Sequence, residues 1–224
     1  MSPALQAVLF DMDGLLVDTE HAWGAAETTV MAGLGGPAWT DADKAEMVGG
    51  PLLRVGEYMT ARAGSDLPAA VVADRLVDAM ADLLARGARH RPGAARLLAD
   101  LDAHGVPAAL VSSSPRRLVD AVLSSVGGDH FRVTLAGDEV AHTKPHPEPY
   151  LVACRRLGSE ARATVVLEDS PVGVEAAEAA GCLVVAVPFV VPIDQGPRRH
   201  VVPSLEHLDT ARLAALVAED LTRW

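Results

Sequence analysis

The stretch FDMDGLLVDTE, residues 10–20, follows the short apolar run ALQAVLF and sets two carboxylates, Asp11 and Asp13, one residue apart where that run ends. Carboxylates this close repel each other unless a proton or a cation lies between them. Three further apolar runs bring chemistry to their C-terminal ends. VPAALV (106–111) leads into Ser112, Ser113 and Ser114, with Pro115 opening a helical pattern. RVTLA (132–136) leads into a loop containing HTKPHPEP and, within it, Lys144. ATVVLE (163–168) ends on Glu168 and is followed by Asp169 and Ser170.

These residue types suit phosphoryl transfer. Carboxylates from two loops hold a hard, oxygen-seeking cation such as Mg²⁺, and the cation relieves their repulsion. Hydroxyls and free N–H groups at a helix N-terminus cradle a phosphate, and a lysine adds positive charge against its oxygens. A carboxylate facing that phosphate can attack it and form an aspartyl-phosphate, while metal and lysine stabilise the transferred charge. A second carboxyl protonates the leaving oxygen and later activates water. On this reading one aspartate of the pair is nucleophile and metal ligand, and the other is the acid/base.

Each residue also has a plainer reading. The Asp pair alone fits a turn, and Ser112 fits an N-cap of the helix after Pro115. Lys144 fits a solvated loop lysine, although Pro145 holds its backbone extended. Glu168 and Asp169 fit N-cap chemistry for a helix from Pro171. Asp138 and Glu139 read as structural turn residues, and the Arg116–Arg117 pair as a solvated helix face or a contact for an anionic substrate. His21, His90, His142 and His146 show no metal-ligand spacing and read as solvated or loop-ordering. Four loops converging on one edge favours the chemical reading of the acids, serines and lysine.

They converge only if the runs are strands of one sheet. The runs at 5–10, 106–111, 132–136, 163–168 and 182–187, with a weaker one at 200–202, are continuous rather than alternating, as in strands covered on both faces. Helical stripes lie between them: Leu97, Leu98 and Leu101; Leu118, Val119 and Val122; Leu151, Cys154 and Leu157; Val174, Ala177 and Ala180. A glycine follows each, the expected C-terminal stop. The alternation predicts an α/β fold, a Rossmann-like doubly wound parallel sheet, with ligands beyond the carboxyl ends of the strands. One interval departs from it. From about 19 to 88 the pattern is helical, with stripes at Trp23, Ala26, Val30 and Leu34, at Leu52, Val55 and Met59, and at Val72, Leu76, Ala79, Met80, Leu83 and Leu84. This predicts an α/β core of residues 1–17 and 89–224 and an inserted all-helical cap of 18–88, with ARHRPG (88–93) as hinge.

Taken together, Asp11-Met12-Asp13-Gly14 after a strand, Ser112 after the second, Lys144 before Pro145, and Glu168-Asp169 after a fourth resemble the four motifs of the haloacid dehalogenase (HAD) superfamily. DMDGLLVDTE, GDEVAHTKPHPEPY and LEDSPVGVEAA are similar to its β-phosphoglucomutase-like and phosphoglycolate phosphatase-like branch. The resemblance spans nearly the whole chain. It implies strand order 5-4-1-2-3, with a possible sixth edge strand, Mg²⁺ dependence, and a cap that closes over a small phosphorylated substrate. It also implies roles. Asp11 would be nucleophile and metal ligand. Asp13 would be general acid/base and lend its backbone carbonyl to the metal. Asp169 would be a metal ligand, with Glu168 direct or through water. Ser112 and Lys144 would bind the phosphoryl group, helped by the N–H groups of Met12 and Ser113, with Ser114, Gly14, Thr143 and Asp18 in supporting positions.

The expected activity is hydrolysis of a small phosphomonoester, a sugar phosphate or a phosphoglycolate-like metabolite. Dehalogenation uses the same aspartate, but family dehalogenases lack an acid at the position of Asp13. A phosphomutase is closer. β-Phosphoglucomutases carry an Arg soon after the cap glycine, where this chain has Gly49-Gly50-Pro51-Leu52-Leu53-Arg54, and Lys-Asn after the serines, where it has Pro115-Arg116. Both departures favour the phosphatase. A receiver-type phospho-acceptor domain shares the acids and lysine but lacks an insertion after its first strand, and an inserted helical segment suits sequestering a substrate.

Composition agrees. At 224 residues the chain is one or two domains of about 150 residues. A net charge of −11 argues against nucleic acid and acidic membranes, which call for basic patches. Two cysteines without CxxC spacing predict neither a disulfide framework nor a zinc site. MSPALQAVLF lacks the basic n-region of a signal peptide, and no run approaches the roughly 20 apolar residues of a membrane span. The expectation is a cytoplasmic monomer.

Overall fold

The computed structural model describes residues 5–47 and 52–223. Among them six strands form one parallel sheet: β1 (Ala7–Phe10), β2 (Ala108–Val111), β3 (Phe131–Leu135), β4 (Thr164–Glu168), β5 (Leu183–Ala186) and β6 (Arg199–Val201). Their order is β3-β2-β1-β4-β5-β6. Read from the other edge this is 6-5-4-1-2-3, the expected order with the extra strand beside β5. β1, β2, β4 and β5 are buried along their whole length, which is why their sequences are continuous apolar runs rather than alternations. The edge strands β3 and β6 carry partly exposed residues, Arg132 and Arg199 among them, and charge at an edge discourages further pairing.

Four helices follow β1 in the chain and form the helical insertion: α1 (Glu20–Gly33), α2 (Asp41–Met47), α3 (Leu52–Ala63) and α4 (Ala69–Gly87). The core carries α5 (Ala94–Ala103), α6 (Arg116–Val126), α7 (Glu148–Leu157), α8 (Pro171–Ala179) and α9 (Thr210–Arg223). The chain separates into two compact units, Thr19–Ala88 and the remainder.

In the helical unit α4 buries Val72, Ala73, Leu76, Met80, Ala81 and Leu84, with Ala79 and Leu83 flanking that stripe. The short α2 has no apolar stripe, so periodicity does not predict it. A capping box starts it: the Thr40 N–H donates to Asp43 Oδ2 at 2.9 Å, and the Asp43 N–H to Thr40 Oγ1 at 3.3 Å, satisfying two donors that a helix start leaves open. Asp43 Oδ1 also accepts from Tyr58 Oη at 2.6 Å and pairs with Arg62 Nε at 2.8 Å, tying α2 to α3. Leu52 to Arg54 lie in α3, where Arg54 pairs with Glu46. Gly49, Gly50 and Pro51 lie outside the described residues.

In the core α5, α6 and α8 bury the predicted stripes, centred on Leu97 and Leu101, on Leu118 and Val122, and on Val174 and Ala177. The buried face of α7 is rotated from the expected one. Pro149, Tyr150, Ala153 and Cys154 are buried, whereas Leu151 and Leu157 pack at the flank of the core. The rotation aims Tyr150 at the end of β4. Cys154 and Cys182 are buried free thiols.

Candidate active site

The sheet positions the first carboxylate directly. β1 and β4 pair up to Phe10↔Leu167, and the Asp11 N–H continues the ladder to Leu167 O at 3.0 Å. Asp11 therefore stands beside Glu168, each at the carboxyl end of its strand. Lys144, from the loop between β3 and α7, reaches both: its Nζ lies 2.5 Å from Asp11 Oδ1, 2.7 Å from Glu168 Oε1 and 3.0 Å from Val111 O. A buried ammonium requires such partners. Burial alone would lower its pKa, but Asp11 and then Glu168 outweigh burial and hold it above the ordinary lysine value. Asp11 is pushed the other way from most carboxylates: burial raises its pKa, Lys144 opposes this, and Glu168, Asp169 and Asp13 add to the rise.

Glu168 is the hub of the cluster and has no solvent exposure. Its Oε1 accepts from Lys144 and from Tyr150 Oη at 2.6 Å. Its Oε2 accepts from the N–H groups of Asp169 and Ser170 at 3.1 and 3.2 Å and from Ser170 Oγ at 3.0 Å. A cation bound directly by Glu168 would displace one of these donors. The first turn of α8 closes over the carboxylate, and a Cβ at Gly173 would lie 1.7 Å from Glu168 Oε1. Ser170, the N-cap of α8, accepts from the Gly173 N–H at 3.1 Å.

Asp169 is pushed up to about 7, first by burial and then by the charge of Glu168. The loop after β1 crowds it. Gly14 has φ +84°, and a Cβ there would lie 2.2 Å from Asp169 Oδ2, so glycine is required both by the backbone and by the approach. Carboxylate oxygens of Asp11, Glu168 and Asp169 lie within 4.8 Å of one another, all buried. With Asp13 they make four acids around one hydrogen-bonded ammonium. This excess of negative charge, all on oxygen donors, fits a hard divalent cation.

Asp13 is held by the serine loop. Its Oδ2 accepts from Ser114 Oγ at 2.9 Å and Ser112 Oγ at 3.3 Å, and Ser112 Oγ accepts from the Ser114 N–H at 2.9 Å. Ser112 thus faces Asp13 and does not cap α6, whose N-cap position is Pro115. Ser114, a supporting residue in the sequence reading, is closer to Asp13 than Ser112 is. Ser113 is exposed on the same loop. Met12 is fully buried, and its carbonyl accepts from the N–H groups of Leu16 and Val17 at 3.1 Å. Thr143 is exposed.

Arg116, Asp138 and Glu139 hold one another at the end of β3. Arg116 donates to Thr134 and to Glu139 Oε2, and its own N–H goes to Asp138. It clamps the end of β3, and Asp138 and Glu139 are its partners, as the plainer reading held. Sequence reasoning missed Tyr150, Ser170 and Gly173 as supports of Glu168. The available signals were weak: a tyrosine six positions after Lys144, and a glycine in the first turn of a helix, where its propensity is poor.

Fold and site together define an enzyme class: a doubly wound α/β protein whose strand ends gather an aspartate pair, serines, a lysine and a second acidic pair at one edge. Residues 8–187 match the family model described as haloacid dehalogenase-like hydrolase, and the chain belongs to that family. It is 34% identical over 183 residues to a phosphoglycolate phosphatase of Yersinia pseudotuberculosis, covering 80% of this chain and 79% of that one. It is 31% identical over 217 residues to hexitol phosphatase B of Escherichia coli, covering 96% of each. Among solved structures, CbbY from Rhodobacter sphaeroides in complex with phosphate superposes with a TM-score of 0.77 at 30% identity, covering 91% of this chain and 96% of that one.

Proposed function

We propose that this protein is a Mg²⁺-dependent phosphatase that hydrolyses a small phosphomonoester, a sugar phosphate or a phosphoglycolate-like metabolite, through an aspartyl-phosphate on Asp11. The observation that carries this is Lys144 bonded at once to Asp11 and Glu168. It fixes a nucleophilic carboxylate beside a cation at a strand end. The named activities of the Yersinia and Escherichia relatives support the substrate class.

Asp11 attacks phosphorus, the phosphorus–oxygen ester bond breaks, and Asp13 gives its proton to the departing alkoxide. Asp13 then takes a proton from water, whose oxygen attacks the phospho-aspartate and frees phosphate and the Asp11 carboxylate. Ser112 and Ser114 orient Asp13 for both transfers through the same oxygen. Lys144 offsets the charge spread over the transferring group, and Ser112 with the N–H groups of Met12 and Ser113 binds its oxygens. Asp11, Asp169 and the Asp13 carbonyl would hold Mg²⁺, with Glu168 directly or through water. The ion would supply the positive charge that lets an anionic nucleophile approach an anionic phosphate. Thr19–Ala88 serves as a cap that selects the substrate. Against a phosphomutase stands Arg116, which occupies the place of the mutase Lys-Asn pair and is spent on Thr134 and Glu139.

The test is phosphate release from a panel of phosphomonoesters including phosphoglycolate, a hexitol phosphate and β-glucose 1-phosphate, with Mg²⁺ and with chelator. Mg²⁺-dependent release is expected. Conversion of β-glucose 1-phosphate to the 6-phosphate without release would overturn the phosphatase reading in favour of a mutase.

A further inference from the structure

We propose that His142, His146 and Glu148 form a second metal site, selective for a borderline transition-metal ion such as Zn²⁺, on the loop that delivers Lys144. The sequence shows no metal spacing here, because the two histidines lie four apart on a loop rather than on a helix. The loop nevertheless turns back on itself. One donor atom from each of the three side chains lies within 4.8 Å of the others. The two imidazole rings are 4.5 Å apart between centroids, tilted by 32°.

The carboxylate is fixed in advance. Glu148 Oε1 accepts from the Ala141 N–H at 3.0 Å, and Oε2 from the His142 N–H at 3.1 Å. His142 Nδ1 lies 2.9 Å from the same Oε2. His146 Nδ1 accepts from the Glu148 N–H at 3.2 Å, which leaves this nitrogen unprotonated, and an ion ligated there takes the place of that long hydrogen bond; the nitrogen stands 4.0 Å from Oε2. A tetrahedral ion with bonds of about 2.0–2.1 Å sets its donors roughly 3.3 Å apart, and the observed 2.9 and 4.0 Å bracket that value. Both rings are at least half exposed, so small rotations close the site without disturbing the core, and an open position remains for water. The positive end of α7 opposes a cation, and Glu148, in its first turn, offsets it.

Ligand chemistry separates this site from the acidic cluster. Two imidazoles and one carboxylate favour Zn²⁺, Ni²⁺ or Cu²⁺, whereas the all-oxygen set at Asp11, Glu168 and Asp169 favours Mg²⁺. The histidines flank Lys144 by two positions on each side, so an ion joining them braces the segment from which the lysine reaches the active site. The site stands whether or not the protein is a phosphatase.

The experiment is calorimetric titration of the full chain with Zn²⁺ in saturating Mg²⁺, together with Co²⁺ visible absorption as a report of nitrogen ligation. The wild type and Asp169→Asn are both expected to bind one Zn²⁺ per chain. His142→Ala and His146→Ala are each expected to weaken it at least about tenfold, since loss of even an outer partner costs 10–100-fold. Unchanged Zn²⁺ affinity in the double His variant, or loss of binding in Asp169→Asn alone, would overturn the proposal by placing the ion in the acidic cluster. Absence of Zn²⁺ binding by the wild type would overturn it outright.

Discussion

Tyr150 Oη donates to Glu168 Oε1 at 2.6 Å, to the same oxygen that accepts from Lys144 at 2.7 Å. The Lys144 ammonium also lies 5.0 Å from the centre of the Tyr150 ring, within range of a cation–π attraction. One side chain thus steadies both members of the buried ion pair. Burial, with Glu168 and Asp11 nearby, pushes the Tyr150 hydroxyl above its ordinary pKa, so it remains a donor. Tyr150→Phe keeps the ring and removes one bond to a charged acceptor, a contribution of about 1.5–3 kcal/mol. Urea denaturation is expected to show a loss in that range, with a lower kcat/KM at saturating Mg²⁺. Unchanged stability together with unchanged kcat/KM would remove Tyr150 from the support of the site.

Gly173 makes the same case from the opposite side. The Cβ of Gly173→Ala would sit 1.7 Å from Glu168 Oε1, on a carboxylate that Lys144, Tyr150, Asp169 and Ser170 hold in place. The side chain of Glu168 must leave, and Lys144 and Tyr150 lose their shared acceptor. Breaking a buried ion pair costs about 3–5 kcal/mol, far above the gain expected from helix propensity for Gly→Ala, roughly 1 kcal/mol. Gly173→Ala is therefore expected to be strongly destabilised in thermal denaturation. A neutral or stabilised variant would show that Glu168 is free to move.

The sequence made the sheet legible because its central strands are buried on both faces and read as unbroken Val, Ala and Leu runs. It made the acids legible because they fall where those runs end. It did not reveal what holds the acids. Tyr150 and Lys144 lie 18 and 24 positions from Glu168, and no periodicity relates them. On α7 the spacing of Leu151, Cys154 and Leu157 suggested one face, while burial of the Tyr150 ring selected another. Ser112 and Ser114 both reach Asp13 because the loop between β2 and α6 turns them to one side, which depends on backbone torsions rather than on residue type. α2 leaves no periodic signal because the Thr40–Asp43 capping box and Tyr58 hold it, not an apolar stripe.

Asp11 and Asp13 separate by what they contact. Asp11 is paired to Lys144 within the buried cluster, and Asp13 is held by two hydroxyls. Asp11→Asn removes the nucleophile and is expected to lower turnover by at least about 10³-fold. It also removes a carboxylate whose charge burial disfavours, so the metal-free variant is expected to melt no lower than the wild type. Asp13→Asn removes proton transfer, an effect of roughly 10²–10⁴-fold, while still allowing phosphorylated Asp11 to form. Rapid-quench labelling and thermal denaturation of both variants check these outcomes. Near-normal turnover by Asp11→Asn would exclude the aspartyl-phosphate route.

The helical unit carries its own electrostatic dependence at Asp43. Hydrogen bonds from Thr40 and Tyr58, with the Arg62 guanidinium beside them, hold its carboxyl at about 2, below the ordinary aspartate value of about 3.9. The folded carboxylate therefore binds a proton less readily than the unfolded one. Its contribution to stability is complete above the unfolded value and is lost as pH falls from there through about 2. Asp43→Asn removes the charge at every pH. The gap in melting temperature between wild type and Asp43→Asn is thus expected to be widest near neutrality and to narrow as the pH approaches 2. A gap that stays constant across that range would mean that Asp43 acts through the shape of the α2 start and not through its charge.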